Sequence, residues 1–151
     1  GTMFNKILTG LIGLTLSLSV AAADGMISKQ SKHSVQMTAD NLQQQLTSNG
    51  MKIFLRINHA ENAKKVDMQL NPTELIIFGN PKAGSPLMKC APTVAIDLPQ
   101  KALIWQDDKQ QVWVSYNDPA YLKQRHAIEG CDKVLQKVSG ALAKMTDAAA
   151  N

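Results

Sequence analysis

Apolar and polar residues alternate along several short stretches of the chain, and these stretches predict β-strands. Every second residue from 51 to 57 is apolar, a period of two that indicates a half-buried strand ending at His59. The β-branched run at residues 73–79 predicts a more fully buried strand. Two further strands are expected at residues 102–106 and 112–116, joined by a polar hairpin connection.

Apolar residues spaced three or four positions apart predict two main helices. Leu42 and Leu46 lie on one face of the first helix, which we expect Thr38 to cap and Gly50 to end. The second is an amphipathic helix of about four turns that starts at Asp132. A shorter helix is expected where Asp118 and Pro119 supply a cap followed by proline at the first helical position.

The order of these elements is strand, helix, several strands, then helix. A short strand at residues 33–37 would open the domain, and residues 24–32 read as a flexible lead-in because they are polar. Strands that follow one another without crossover helices favour an antiparallel sheet. We therefore predict one α+β domain over residues 33–151, with an antiparallel sheet of about four to five strands and the two main helices packed on one face.

The first residues are typical of an exported protein. Gly1 and Thr2 read as a cloning remnant, and residues 3–23 read as a signal peptide with a lysine, an apolar stretch and an alanine run. We expect cleavage after Ala23 and a periplasmic or secreted product. The alternative is an uncleaved anchor, because residues 7–23 lie at the lower limit for spanning a bilayer.

The charges argue against binding to nucleic acid. The chain has 16 Lys and Arg against 12 Asp and Glu, and they are scattered, with Lys64 and Lys65 the only adjacent basic pair. A phosphate backbone is usually bound by a basic stripe or patch. We expect no nucleic-acid partner, and contact with a membrane only through an uncleaved signal peptide.

The segment "FGNPKAGSPLMKCAP" at residues 78–92 concentrates residue types that can carry chemistry. Gly79 and Gly84 have the spacing of a phosphate-binding loop, but Ser85 and Pro86 stand where lysine and a hydroxyl residue are required. The segment is therefore predicted to be a loop with about one helical turn before Pro92.

Two cysteines and no others, in a chain predicted to be exported, favour a disulfide between Cys90 and Cys131. A thiol redox role and a copper or zinc site using Met88 and Cys90 remain alternatives. His33, His59 and His126 are too far apart in sequence for two of them to ligate a metal from one element. No cofactor is expected.

Several long blocks carry a family resemblance: "INHAENAKK", "PTELIIFGNPKAGSPLMKCAPTVAIDLPQKALIW" and "VWVSYNDPAYLKQRH", followed by the amphipathic helix. Together they resemble the proteins grouped as domain of unknown function 302, in particular their exported, cysteine-bearing branch. The resemblance implies a compact α+β fold similar to one repeat of the TATA-binding protein, and a homodimer. It implies no activity, because the family has none established.

The resemblance also supplies the candidate site residues. Of the family's recurrent positions, Gly79, Pro81, Pro99 and Pro119 are explained as backbone punctuation, while His59, Asn80, Lys101 and Tyr116 are candidates for binding a ligand; Leu98 completes the set. Asn58 stands where an acidic residue commonly precedes the histidine, which weakens a role for an Asp–His pair.

Three functions follow as hypotheses. The first is a non-enzymatic, dimeric module that binds a small ligand or a partner protein. The second is a periplasmic metal or thiol-redox accessory protein. The third is a small hydrolase or isomerase in which His59 is the general base and Lys101 or Tyr116 steadies developing charge.

Overall fold

The computed structural model describes Gly10 and residues 25–151. The predicted cloning remnant and, apart from Gly10, the predicted signal peptide lie outside the described residues. Within them, five strands form one antiparallel sheet in the order β1-β5-β4-β3-β2. The strands are β1 (Met26–Ser31), β2 (Lys52–Asn58), β3 (Thr73–Gly79), β4 (Gln100–Gln106) and β5 (Val112–Asn117).

All but one of the described helices fall into two groups. The two long helices pack against each other and on one face of the sheet, as predicted. Three of the four shorter helices form a second apolar cluster with the start of the last helix, whereas the short helix at His59–Lys64 has no buried residue and contacts β3. The helices are α1 (Val35–Ser48), α2 (His59–Lys64), α3 (Pro81–Cys90), a 3-10 helix (Pro92–Asp97), α4 (Pro119–His126) and α5 (Asp132–Ala150). The α+β class and the antiparallel sheet are confirmed.

The predicted flexible lead-in at residues 24–32 is wrong, because Met26–Ser31 pairs along its whole length with β5. Lys29 faces the helices, where its Nζ donates to the carbonyl oxygen of Ala143 at 2.9 Å and to Thr146 Oγ1 at 3.0 Å. Of the inward positions of this strand, Ile27 is apolar, whereas Lys29 is bonded to α5 and Ser31 to Thr38 of α1. The strand therefore lacks the apolar alternation by which strands are recognised in sequence.

The predicted strand at residues 33–37 is also wrong, because the first helix starts earlier than expected. Ser34 is the N-cap, and its Oγ accepts from the backbone N–H of Met37 at 3.1 Å. Thr38 lies in the first turn instead of capping it, and its buried hydroxyl donates to the carbonyl oxygen of Ser34 at 2.7 Å.

A β-bulge interrupts β2. The register against β3 shifts between Ile53 and Leu55, which leaves Phe54 as an extra residue. Beyond the bulge Leu55 is 53% exposed, and Arg56 turns toward the helices, where its Nε donates to Glu74 Oε1 at 2.8 Å. The simple alternation predicted for this strand therefore ends at Ile53.

The strand β3 is more fully buried than β2, as predicted, but its buried residues lie on one face only. Glu74, Ile76 and Phe78 are buried on the helix side, while Leu75 and Ile77 lie partly exposed on the other side. The side turned away from α1 and α5 is called the outer sheet face. Its apolar residues on the central and β2-side strands are Leu55, Ile57, Leu75, Ile77, Leu103 and Trp105.

Candidate functional site: an apolar cavity between the sheet and three helices

A cavity of about 270 Å³ lies where one end of the sheet meets α3, the 3-10 helix and α5. Phe78 from β3, Leu87 from α3 and Leu142 from α5 form its inner walls. Phe54 and Met88 also line it and are 47% and 37% exposed, so they mark the side that opens to solvent. Of the eighteen described residues that line the cavity, none carries a charge.

The segment after β3 forms one wall because it turns into a helix at once. Asn80 Oδ1 accepts from the backbone N–H of Lys82 at 3.0 Å, and Pro81 occupies the first helical position. The helix α3 is thus longer than the single turn predicted. At Gly84 a Cβ would lie 3.7 Å from Leu98 Cδ1, so the absence of a side chain here leaves space within the wall.

Gln100 is the buried polar side chain of the lining. It is 9% exposed and lies on the helix side of β4, opposite Phe78 in the register. The β4 side chains that form hydrogen bonds to described residues are those of Lys101 and Trp105. No fully enclosed side-chain nitrogen or oxygen in the described residues lacks a partner. The amide of Gln100 has no partner, so its nitrogen and oxygen are not fully enclosed and must border accessible space. That space is the cavity, because Gln100 is one of its lining residues.

A disulfide fixes the α3 wall to the start of α5. Cys90 and Cys131 are bonded, with their Cα atoms 6.4 Å apart and a sequence separation of 41. Neither cysteine offers a thiolate, so the metal and thiol alternatives lose the residue on which they rest. Within the described residues, no group of three or more His, Cys, Asp or Glu side chains is placed to hold a metal.

A polar cluster fixes the 3-10 helix to α4. Asp97 accepts from His126 Nε2 and from Arg125 Nη1, and Thr93 Oγ1 lies 2.9 Å from His126 Nδ1. A hydroxyl, an imidazole and a carboxylate in a row are also the parts of a hydrolytic triad. None of these side chains lines the cavity, however, so we interpret the cluster as a link that holds one cavity wall in place.

Of the predicted candidates, Asn80 and Leu98 line the cavity, as does Met88, which was named for the metal alternative. His59 opens α2 at the opposite end of β2, since the Lys52 end of that strand pairs with Gly79 and its Asn58 end pairs with Glu74. The length of β3 separates the two ends by about 20 Å. His59 and Asn80 therefore do not meet.

Lys101 and Tyr116 lie on opposite faces of the sheet. Lys101 is on the outer sheet face and its Nζ donates to the carbonyl oxygen of Pro99 at 3.0 Å, whereas Tyr116 is 3% exposed within the core. The structure does not gather His59, Lys101 and Tyr116 around one pocket. The hydrolase or isomerase hypothesis requires that arrangement.

Sequence reasoning missed Gln100, although a signal for it exists. Gln100, Ala102 and Ile104 occupy successive inward positions of β4, and the first of them is polar. A polar residue at a core position has to find a hydrogen-bond partner or a cavity. The part of the cavity wall that α5 forms could not be predicted from the sequence, because Ala141 and Leu142 look like ordinary residues of an apolar helix face.

The sequence matches the family described as Domain of unknown function DUF302 over residues 27–145. The chain belongs to the DUF302 family. A crystal structure of an uncharacterised conserved DUF302 protein from Bacillus stearothermophilus has the same fold, with a TM-score of 0.75 at 15% identity. The similarity covers 85% of this chain and 100% of that one. These matches confirm the family and the fold expected from the sequence blocks.

Longer proteins also contain a segment similar to this DUF302 chain. The protein named fluoride-specific ion channel FluC 1 of Brucella suis is 44% identical over 104 residues, which is 69% of this chain and 41% of that protein. A channel of the same name from Brucella abortus is also 44% identical over 104 residues, or 38% of its length. The chain thus spans about two fifths of these relatives. Within the described residues, no helix has the length and apolar character needed to cross a membrane.

Proposed function

We propose that this DUF302 protein is a non-enzymatic binding module whose cavity takes up a small, mainly apolar molecule. The observation that carries the proposal is the cavity of about 270 Å³ with no charged residue in its lining. Pockets for small molecules are mostly apolar with a few placed polar groups. An engineered apolar cavity of about 150 Å³ is large enough to bind benzene.

Binding without turnover fits the chemistry of the lining. It contains no Asp, Glu, His, Lys, Arg or Cys among the described residues, and hence no side chain suited to general acid–base catalysis or to covalent catalysis by a thiol or amine. The two links that hold α3 and the 3-10 helix would keep the cavity open before a ligand arrives. A preformed site loses less conformational entropy on binding.

We propose in addition that the module acts after export and as a homodimer. The disulfide favours an oxidising compartment such as the periplasm. The outer sheet face is apolar and partly exposed, and such a face is suited to covering by another protein surface. A second copy is the occupant we propose, because the apolar residues of one outer sheet face can cover those of another, while Lys101, which also lies on this face, has its Nζ bound to the carbonyl oxygen of Pro99.

The similarity to the Brucella channels supports use of the module within larger proteins. Their name refers to fluoride, and the match covers only about two fifths of their length. We do not propose fluoride as the ligand of this cavity. The lining has no positive charge, so transfer of a small anion from water into it is unfavourable.

Naphthalene tests the proposal, because it is apolar, has ten carbons and makes no conventional hydrogen bond. Isothermal titration calorimetry should detect binding to the wild-type protein. Ala141→Leu places three more carbons in the cavity and should abolish the binding, whereas Ala148→Leu, at an exposed position of the same helix, should leave it unchanged. No binding to the wild type, or equal binding to both variants, would contradict the proposal.

A further inference from the structure

Gln100 indicates what kind of molecule the cavity accepts. The residue is 9% exposed, and its side chain lines the cavity and has no hydrogen-bond partner among the described residues. An amide held against an apolar lining without a partner costs free energy that a hydrogen-bonding ligand would recover. The other amide of the lining, Asn80, already uses its oxygen to cap α3. Gln100 is therefore the group best placed to orient a ligand.

We propose that the ligand is an uncharged amphiphile: a hydrocarbon body with one neutral hydrogen-bonding group that meets the Gln100 amide. This inference rests on the proposed binding function and specifies its ligand class. A glutamine amide both donates and accepts, so a hydroxyl, ketone, ester or amide group can satisfy it. The hydrocarbon body would contact Phe78, Leu87 and Leu142.

The size of the cavity limits the ligand. Scaled from the cavity of about 150 Å³ that holds the six carbons of benzene, the volume here corresponds to about eleven non-hydrogen atoms. Straight or branched chains of about eight to ten carbons with one polar group fall within this range.

The charges around the cavity argue against an ionised ligand. None of the lining residues carries a charge, and transfer of an unpaired ion into such surroundings is unfavourable. Two ammonium groups lie beside lining residues: Lys101 Nζ donates to the carbonyl oxygen of Pro99 at 3.0 Å, and Lys52 lies at the mouth, where its Nζ is 5.0 Å from the ring centroid of Phe54. An acid could reach the Lys52 ammonium only with its head group outside the cavity, and Gln100 would then stay without a partner.

Five eight-carbon compounds test the proposal: octane, 1-octanol, 2-octanone, octanoate and octylammonium. Their affinities would be measured at pH 7 by NMR titration of the wild-type protein, of Gln100→Met and of Gln44→Met. Methionine at position 100 keeps the length of the side chain and removes the amide. Gln44 is exposed on α1, so its exchange controls for the substitution itself. Titration of the Gln100 side-chain NH₂ resonance in the wild type gives a readout that does not depend on any variant.

The proposal expects 1-octanol and 2-octanone to bind and to shift the Gln100 NH₂ resonance. In Gln100→Met their affinities should fall about tenfold, because one buried hydrogen bond is lost. The affinity for octane should stay the same or increase. Gln44→Met should change none of them. Octanoate and octylammonium should bind more weakly than 1-octanol.

Three results would overturn the proposal, and they differ in what else they overturn. If Gln100→Met changes the affinities for octane and octanol equally, or the NH₂ resonance does not move, the ligand class is wrong but the binding function stands. If octanoate binds more tightly than octanol and Lys52→Met weakens it, the ligand is an acid held at the mouth. If none of the five compounds nor naphthalene binds, both the ligand class and the binding function fail.

Discussion

Ala127 ends α4 in the left-handed region, at φ 50° and ψ 48°. A residue with a Cβ adopts this conformation at a cost that glycine does not have, which is why glycine is common at the end of helices. The chain accepts the cost because the next residue, Ile128, is buried in the cluster behind α3. A single backbone conformation thus directs the chain from α4 toward the disulfide.

Ala127→Gly is expected to raise the free energy of unfolding by about 1 kcal/mol, because it removes the strain of the left-handed conformation. Urea denaturation measures the change. Ala120→Gly is the matched control within α4, at an exposed position in the first turn, and it should lower stability. A loss of stability in both variants would contradict the prediction.

The pKa of Asp107 depends on a neighbouring side chain. The Trp113 indole N–H donates to its carboxylate at 2.9 Å and lowers the pKa of Asp107 below its ordinary value of 3.8. A lowered pKa in the folded state stabilises the fold above the unfolded-state pKa, and this contribution is lost as the pH falls through the folded-state pKa.

Trp113→Phe should therefore raise the pKa of Asp107 toward its ordinary value and move the acid-side loss of stability to higher pH. NMR titration of the Asp107 carboxyl carbon measures the first effect directly. Trp105→Phe is the control, because the Trp105 indole donates to Ser115 instead of a carboxylate. An unchanged titration in Trp113→Phe would show that other contacts set the pKa.

At the scale of elements, α3 and the 3-10 helix depend on two links to the rest of the molecule. The disulfide holds the end of α3, and the Asp97–His126 contact holds the end of the 3-10 helix. Between these two links the chain contributes Ala95 to the cavity wall, and Leu98 follows directly. Loss of either link would release part of the wall.

Reduction of the disulfide is expected to lower the free energy of unfolding by about 4 kcal/mol, the chain-entropy value for a separation of 41 residues. Naphthalene binding should weaken at the same time. Urea denaturation with and without reductant measures the first effect. The double variant Cys90→Ser and Cys131→Ser should have the same free energy of unfolding as the reduced wild type, and reductant should not change it. If the reduced wild type, with free thiols verified by alkylation, unfolds at the same urea concentration as the oxidised protein, the disulfide is not a stabilising link.

The sequence predicts most elements but not what they enclose. The cap at Asp118 and the periodicity after Asp132 are local signals, so α4 and α5 could be predicted closely. The strand β1 was missed because Lys29 stands at an inward position that only the folded α5 makes favourable. The cavity was missed because its walls come from residues as far apart in sequence as Met51 and Leu142.

At the scale of the whole molecule, the sheet has one face covered by α1 and α5 and an outer sheet face that is apolar and partly exposed. The cavity opens at the end of the sheet, beside Phe54 and Met88. Ligand binding and association through the outer sheet face would therefore use different surfaces. The two proposals can be tested separately for that reason.

Leu103→Glu, in the middle of the outer sheet face, is expected to convert a dimer into a monomer, because it would bury a charge without a partner at the interface. Sedimentation equilibrium measures the change, and circular dichroism checks that the fold is kept. Met37→Glu is the control, since Met37 is 52% exposed on α1, on the opposite side. A wild-type protein that sediments as a monomer would contradict the homodimer.

The bulge in β2 affects how readily two copies of the protein could associate through the edge of the sheet. In the described sheet β2 is an edge strand, and an edge offers free backbone N–H and C=O groups to which a strand of another molecule can add. Phe54 and Leu55 would favour association at this edge, because both are apolar and about half exposed. The extra residue bends the strand and breaks the regular spacing of those groups. The irregularity that places Phe54 at the cavity mouth would thus also hinder the stacking of β2 edges into fibres.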